Sequence, residues 1–175
     1  MRCDDGGMGF GGQVRPTAAS DAAEVARIYV VSWNEGFGHL LGRREPSPAD
    51  GERWTGELTS TRARWWVAET DHRVAGFAGI CPSRDPIAAG LGELDTIAVD
   101  PRDWRTGVGR ALMAVVLDAL RSTGYAEAIV WTPAGYQRGH GFYRATGWLP
   151  DGGRRDGRRQ VSFRHPLTTA ASTEA

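Results

Sequence analysis

A glycine-containing turn joins a predicted strand to a predicted helix at residues 99–112, which read V-D-P-R-D-W-R-T-G-V-G-R-A-L. The first N–H groups of a helix lack intrahelical partners, and the helix dipole makes that end positive, so a helix start attracts anions. Gly107 and Gly109 have no Cβ and would let a diphosphate approach the main chain. The pattern predicts a phosphate site between Thr106 and Arg110. The alternative is an ordinary loop whose glycines only serve tight packing.

The positive charge of the chain is local to this turn, where Arg102, Arg105 and Arg110 lie. The whole chain is balanced, because 21 Lys and Arg residues stand against 21 Asp and Glu residues. A formal net charge of zero gives no sign of a broad surface for nucleic acid or membranes. We therefore expect a small anionic ligand, with no nucleic acid and no membrane as partner.

The two cysteines indicate a reducing compartment. Cys3 and Cys81 cannot make a disulfide framework, and neither has the spacing of a metal ligand. The most apolar run, residues 111–120, is too short to cross a membrane and contains Asp118. We expect a cytoplasmic protein without a metal ion.

A chain of 175 residues is long enough for one compact domain and short for two. We assign residues 14–167 to that domain, residues 1–13 to a flexible leader and residues 168–175 to a frayed tail. The leader contains G-x-G-x-x-G, but no strand precedes this motif and no helix directly follows it. A dinucleotide site there is therefore not expected.

The hydrophobic pattern begins with antiparallel strands and ends with a strand–helix–strand unit, which favours one parallel pair. Ser20 or Asp21 is expected to cap the first helix, and Glu24 is placed to return a hydrogen bond to the capping residue, as in a capping box. Strands are predicted at 14–16, 65–69, 74–81, 91–99, 126–131 and 161–164, with a hairpin turn at Asp71 and His72. Helices are predicted at 54–58, 107–123 and 138–146. The segment 35–48 is predicted to be a loop or a broken helix, and the basic segment 154–159 a solvated turn.

Two segments, in this order and separation, resemble the GNAT superfamily of acyl-CoA-dependent N-acyltransferases. The pyrophosphate signature of that family is Q/R-x-x-G-x-G/A. Residues 105–109 fill five of its six places, whereas Trp104 stands in the first. The second segment, G-H-G-F-Y-R-A-T-G-W at residues 139–148, resembles the family element F-Y-x-x-x-G-F/W. Tyr136 stands where many relatives have an Asn that holds the pantetheine arm.

The resemblance covers most of residues 14–167 and implies an α/β fold of three layers. Its central sheet of six to seven strands would be mixed and mostly antiparallel, with helices on both faces and splayed fourth and fifth strands. Acetyl-CoA would enter between the splayed strands. Its pantetheine amides would pair with the exposed backbone groups of residues 97–99, in effect adding a strand to the sheet. The implied cofactor-binding residues are Ile97, Ala98, Val99, Arg105, Thr106, Gly107, Val108, Gly109, Arg110, Tyr136 and Arg138.

Tyr143 is the candidate general acid for the departing thiolate. A phenol with a pKa of about 10 stays protonated at neutral pH and can donate as charge develops on the sulfur. The alternative is that Tyr143 only packs, as aromatic residues commonly do.

Glu93 is the candidate general base for the amine, and Asp95 comes next, also as a substrate-binding residue. In a regular strand Glu93, Asp95, Ile97 and Val99 share one face, so the carboxylates would line the substrate cleft. Alternatively, Glu93 opens the strand in solvent and Asp95 pairs with an arginine, and a bulge would change the facing.

The resemblance also implies where the acceptor binds, because relatives use the end of the first helix and the loop after it. Trp33 and Phe37 are the substrate-binding residues at that place. Core packing is the expected role of Trp65 and Trp66. His140 precedes Tyr143 on the same helix, and we expect it to be exposed.

These residues predict a single-domain N-acetyltransferase that moves the acetyl group of acetyl-CoA to an amine by direct attack. Neither a metal nor a covalent intermediate is expected, and Cys81 is not a nucleophile. The acceptor, a small molecule or a protein, cannot be read from the residues. Because Trp104 and Tyr136 depart from the family pattern, the rival interpretation is a non-catalytic module that binds acyl-CoA or a protein. The resemblance is compatible with a homodimer, but no segment of the sequence establishes one, so the oligomeric state stays open.

Overall fold

A computed structural model of the chain describes residues 10–71, 73–84 and 90–167. The strands are β1 (Gln13–Pro16), β2 (Arg64–Thr70), β3 (Arg73–Pro82), β4 (Gly92–Val99), β5 (Glu127–Pro133), β6 (Leu149–Arg155) and β7 (Gln160–Pro166), and the helices are α1 (Ala22–Gly36), α2 (Gly38–Leu41), α3 (Pro48–Thr59), α4 (Val108–Ser122) and α5 (Gln137–Ala145). Of these elements, three helices follow the first strand, three strands come next, and one helix lies before and one after β5.

The strands form one sheet in the order β1-β2-β3-β4-β5-β7-β6. Every neighbouring pair is antiparallel except β4 and β5, which α4 connects as a parallel pair. The mixed, mostly antiparallel sheet is confirmed. A parallel pair needs a crossover, and the helix predicted after the glycine turn supplies it.

Alternating residues of the sheet build two apolar cores, one on each face. In β2, Trp66 and Ala68 join the cluster that packs under α4, whereas Trp65 and Val67 join the cluster under α1 and α3. This alternation follows from the two-residue period of a strand. Helices on both faces, and core positions for Trp65 and Trp66, are therefore confirmed.

The strands β4 and β5 separate soon after they begin. Their pairing joins Gly92 to Ala128 and Glu93 to Ile129. In contrast, β3 stays paired with β4 as far as Val99. A gap therefore opens between the second half of β4 and β5. The predicted splaying of these two strands is confirmed.

A β-bulge interrupts β4 at the start of this gap. Gly79 of β3 pairs with Thr96, and the next residue, Ile80, pairs with Leu94. Asp95 is thus an extra residue without a partner in the register.

The bulge changes which side chains of β4 share a face, because one extra residue reverses the alternation. Leu94 belongs to the cluster under α4, and Ile97 and Val99 pack against the same cluster. Its neighbour Glu93 therefore faces the α1 side of the sheet. The prediction that Glu93, Asp95, Ile97 and Val99 share one face is wrong, because it assumed a regular strand.

The start of α1 also differs from the prediction. No side chain of the described residues caps α1 at Asp21. Asp21 instead forms an ion pair with Arg15 at 2.8 Å and accepts from the Ala18 N–H, and Glu24 pairs with Arg27 at 3.1 Å. The capping box is therefore wrong: the Asp21 carboxylate joins β1 to the helix start.

Other predicted elements hold with shifted bounds. The segment 35–48 is a broken helix, because α1 runs to Gly36 and α2 follows. Phe10, inside the predicted leader, packs against the apolar cluster under α4. Most of that leader, His72 of the hairpin turn and the tail 168–175 lie outside the described residues. Within the part that is described, no helix combines the length and apolar character needed to cross a membrane.

Candidate active site

The turn between β4 and α4 presents the N-terminus of a helix without a side-chain cap. Gly107 precedes α4 with a φ of 93°, a left-handed conformation that suits glycine, and no described side chain caps the helix. The N–H groups of Val108, Gly109 and Arg110 therefore lack side-chain acceptors. Arg105 also has a positive φ, 69°, so the turn bends sharply before the helix starts. Its geometry is that of an anion site.

Ion pairs from other elements hold this turn in place. The Asp100 carboxylate accepts from Arg27 at 2.8 Å and from Arg102 at 2.7 Å, and Asp103 accepts from both terminal nitrogens of Arg73 at 2.7 Å. Hydrogen bonds from Arg102, followed by one from Arg27, hold the pKa of the Asp100 carboxyl well below its usual range. Arg102 therefore braces the turn, rather than adding free positive charge to it as predicted.

Sequence reasoning missed two of these partners, Arg27 on α1 and Arg73 on β3. They lie 73 and 30 residues from their carboxylates. No local pattern marks them, because only the sheet topology brings them to the turn.

Backbone polar groups of β4 line the gap toward β5. The Asp100 N–H donates to the Ala75 carbonyl at 2.8 Å, on the β3 side. Alternation along the strand places the polar groups of Val99 and Ile97 on the opposite edge, toward the gap. The backbone of Ala98 faces β3, where it takes part in the sheet pairing. Of the three predicted backbone contacts, Ile97 and Val99 are thus the ones that face the gap.

Trp104, in the first place of the signature, is bound back to the end of β4. Its Nε1 donates to the Val99 carbonyl at 2.8 Å. The guanidinium carbon of Arg138, from α5, lies 4.1 Å from the centre of the indole ring, within cation–π range. Trp104 thus occupies one gap-facing acceptor and holds a cation beside the turn.

Tyr143 lies on α5 with its ring packed among Phe142, Trp148 and Phe163. Burial, with a smaller effect from Tyr136, raises the pKa of the Tyr143 phenol well above its usual value. The residue has the packing role that the sequence left open. It also has the protonation state that a general acid needs.

Two other side chains with possible chemistry, those of His140 and Cys81, are buried or partly buried rather than free to react. His140 is buried, and its Nε2 lies 3.0 Å from the Pro133 carbonyl oxygen. The expectation that His140 is exposed is wrong, because α5 folds back onto the end of β5. Burial raises the pKa of the Cys81 thiol to about 12, so the thiolate is scarce at neutral pH. Among the residues that the structure describes, no group of His, Cys, Asp and Glu could hold a metal ion.

The Glu93 carboxylate is buried and already engaged. It accepts from the Ser83 hydroxyl at 3.3 Å and from the Arg84 N–H at 3.2 Å, and the Arg84 guanidinium lies 3.7 Å away. Asp95 binds the same guanidinium. The alternative that placed Glu93 in solvent is wrong, since the residue is 2% exposed, but its pairing of Asp95 with an arginine is confirmed. Sequence reasoning missed Arg84, which bridges the two carboxylates.

An aromatic wall, defined as Trp33, Phe37 and Tyr136, joins the end of α1 to the start of α5. The ring centres lie 5.1 Å apart between Trp33 and Phe37 and 4.5 Å apart between Phe37 and Tyr136, both in edge-to-face contact. Trp33 Nε1 donates to the Gly42 carbonyl at 3.0 Å, so the chain after α2 is fixed to α1. The structure thus brings the two predicted acceptor residues together with Tyr136.

Comparison with known proteins supports the same family. Residues 21–148 match the acetyltransferase (GNAT) family. Human N-acetyltransferase 8 is 32% identical over 96 residues, which is 54% of this chain and 42% of the relative. Human N-acetyltransferase 8B is 30% identical over the same shares. The chain thus spans less than half the length of these curated relatives.

Solved structures share the fold. A putative GNAT-family acetyltransferase from Desulfovibrio desulfuricans superposes with a TM-score of 0.71 at 24% identity, over 90% of this chain and 99% of that one. The PaiA N-acetyltransferase from Thermoplasma acidophilum, in complex with coenzyme A, gives 0.69 at 16% identity, over 89% and 98%.

Proposed function

Because the chain belongs to the acetyltransferase (GNAT) family, we propose that it transfers the acetyl group of acetyl-CoA to an amine. One observation carries the proposal: the uncapped N-terminus of α4 follows directly on β4, and beyond Glu93 the edge of β4 that faces β5 is unpaired. A diphosphate needs the first feature, and an amide-bearing arm needs the second. The two features adjoin at Val99.

The residues present fit the diphosphate and the arm of acetyl-CoA. A Cβ on Gly109 would stand 3.3 Å from the Phe142 ring, so the glycine keeps the turn close to α5. Arg105 and Arg110 lie in or beside the turn. Arg138, stacked on Trp104, brings a further cation, which offsets the absence of Gln or Arg from the first place of the signature.

The proposed reaction is direct attack of a neutral amine on the thioester carbonyl. A C–N bond forms, the C–S bond breaks, and the sulfur leaves with the electron pair. The amine arrives as an ammonium ion and loses one proton to a base before it attacks. Tyr143 donates its phenolic proton to the departing sulfur, and the second proton that the nitrogen loses, on forming the amide, returns to the Tyr143 phenolate. Acetyl-CoA supplies the activated acyl group; the protein supplies orientation and these proton transfers.

Glu93 is the proposed base, and Arg84 determines when it can act. The Arg84 guanidinium lies 3.7 Å from this carboxylate. The same guanidinium covers the carboxylate. We expect the arriving amine to displace Arg84 from Glu93, because both are cations that seek the same oxygens.

A screen of primary amines with acetyl-CoA, following free thiol release, tests the proposal. We expect thiol release that requires both the protein and an amine, with acetylated amine detected by mass spectrometry. Thiol release without an acetylated product would indicate hydrolysis and contradict the proposed function. Binding of coenzyme A without turnover of any amine would favour the rival interpretation, a binding module.

A further inference from the structure

Arg44 holds a cation over the outer end of the aromatic wall. It lies between α2 and α3, and its guanidinium carbon is 3.8 Å from the centre of the Trp33 ring and 5.0 Å from that of Tyr29. The Asn34 side chain fixes the backbone on both sides: the Arg44 N–H donates to Asn34 Oδ1 at 2.7 Å, and Asn34 Nδ2 donates to the Arg44 carbonyl at 2.9 Å. Two hydrogen bonds therefore fix the backbone of Arg44, and two aromatic rings fix its guanidinium.

The charge of Arg44 has no carboxylate partner within 4 Å in the described ranges 10–71, 73–84 and 90–167. Arg53, from α3, is similarly placed: its guanidinium carbon lies 5.5 Å from the centre of the Tyr29 ring, and no described carboxylate pairs with it. Stacking uses the flat face of a guanidinium and leaves the N–H groups at its edge, which match a carboxylate in two parallel hydrogen bonds. Two cations with unused donors thus approach the same ring.

The aromatic wall connects this charge to the proposed chemistry. Contacts of 3.8, 5.1 and 4.5 Å lead from Arg44 through Trp33 and Phe37 to the Tyr136 ring, so the separation is at most about 13 Å. Tyr136 in turn influences the Tyr143 phenol electrostatically. An extended peptide covers about 3.3–3.6 Å per residue, so roughly four residues span the wall.

We propose that the acceptor carries a carboxylate several bonds from its reactive amine, and that Arg44, assisted by Arg53, binds that carboxylate. This inference rests on the proposed function and names the acceptor class for the same site. The chemistry fits the free amino terminus of a peptide with an acidic side chain near its fourth residue. It also fits an ω-amino acid whose chain is long enough to span the wall. A plain alkylamine lacks the group that Arg44 recognises.

Titration calorimetry on the protein saturated with coenzyme A tests this without turnover. The probes are two matched pairs: the peptide amides Ala-Phe-Ala-Glu and Ala-Phe-Ala-Gln, and ω-aminodecanoate against decylamine. Wild-type protein should bind the carboxylate member of at least one pair about ten-fold more tightly, as a charged hydrogen-bonded pair provides. The pair that shows the difference identifies the source of the carboxylate.

Two variants assign the preference to Arg44. Arg44→Gln should reduce it to within about two-fold, and Arg44→Lys, which keeps the charge but not the paired donors, should leave an intermediate preference. Arg43→Gln changes the exposed neighbouring arginine and should keep the full preference. A thermal melt of each variant separates loss of binding from loss of fold.

Several results would overturn the inference. They are equal affinity within both pairs, a preference that survives Arg44→Gln, or no binding of any probe to a protein that still binds coenzyme A. Failure to bind coenzyme A at all is a different result, since it removes the proposed function itself.

Discussion

The phosphate turn and the aromatic wall are built in opposite ways. The turn is one contiguous segment, residues 99–110, and it would act through backbone N–H groups and glycines. The wall takes side chains from the end of α1, from the chain after α2 and from the start of α5. A backbone site suits a ligand part that never changes, whereas side chains can be replaced to suit each acceptor. The comparison separates what the family shares from what this chain selects.

Gly109→Glu should produce the largest effect and act on the turn alone. It places a carboxylate where the diphosphate binds, so we expect coenzyme A affinity to fall by at least about 100-fold. Calorimetry measures this, and Gly56→Glu is the control, because a Cβ at Gly56 has no atom within 4 Å. Unchanged binding in folded Gly109→Glu would remove the turn from the site.

Tyr143→Phe tests the proposed general acid, which belongs to neither region. Loss of a general acid should lower kcat by roughly 100-fold, while coenzyme A affinity stays unchanged. Tyr125→Phe, a partly buried tyrosine without a proposed role, serves as the control. Equal rates for wild type and Tyr143→Phe would leave Tyr143 with a packing role only.

The pH profile sharpens the same assignment. Because burial raises the pKa of Tyr143, its phenol stays protonated where an ordinary tyrosine, with a pKa of about 10, begins to ionise. We expect no loss of kcat from this group up to pH about 10. A loss of kcat at lower pH that disappears in Tyr143→Phe would contradict the assignment.

Asp100→Asn tests the bracing of the turn. The change leaves Arg102 without its carboxylate and Arg27 with Glu24 alone, and we expect the free energy of unfolding to fall by about 1–3 kcal/mol at neutral pH. The pKa of Asp100 is lowered by folding, so its contribution is fully present above the unfolded pKa of about 3.9 and is lost as pH falls toward the folded value. Urea unfolding at two pH values measures both effects.

The matched control for that variant is Asp118→Asn on the exposed side of α4, where the pair with Arg121 should contribute less than about 1 kcal/mol. Equal destabilisation by the two variants would mean that Asp100 braces nothing.

Trp33→Phe should produce the smallest effect, and on the wall only. An aromatic ring remains at this position, although a smaller one, and the hydrogen bond from Nε1 to the Gly42 carbonyl is lost. We expect the KM for a turned-over amine to rise by roughly two- to ten-fold, as one hydrogen bond allows, with coenzyme A affinity unchanged. A change in coenzyme A affinity would show that the two regions are not separable.

The turn could be predicted from the sequence because its signals are local. Gly107 and Gly109, with the apolar period of α4, lie within one short segment, and the strand before them ends in the apolar run Ile97–Ala98–Val99. The splayed strands were predicted through family resemblance, not from periodicity. The second-last strand, β6, was not located, since Pro150, Gly152 and Gly153 are typical of turns. An edge strand tolerates such residues.

Other features could not be predicted because they depend on distant partners. The bulge at Asp95 follows from how β3 pairs with β4, and it alone decides that Glu93 faces the α1 side. Arg84 reaches Glu93 and Asp95 from the chain just after β3. The stacking of Arg138 on Trp104 joins two segments that the sequence marked separately. In each case the residue type was visible but its neighbour was not.

In the proposed function, backbone N–H groups at the start of α4 bind the diphosphate of coenzyme A. Calorimetric titration of the folded protein with coenzyme A and, separately, with pantetheine tests it most directly, because pantetheine lacks the diphosphate. We expect clear binding of coenzyme A and at least about 100-fold weaker binding of pantetheine. Equal affinity for the two ligands, or no heat with either, would contradict it.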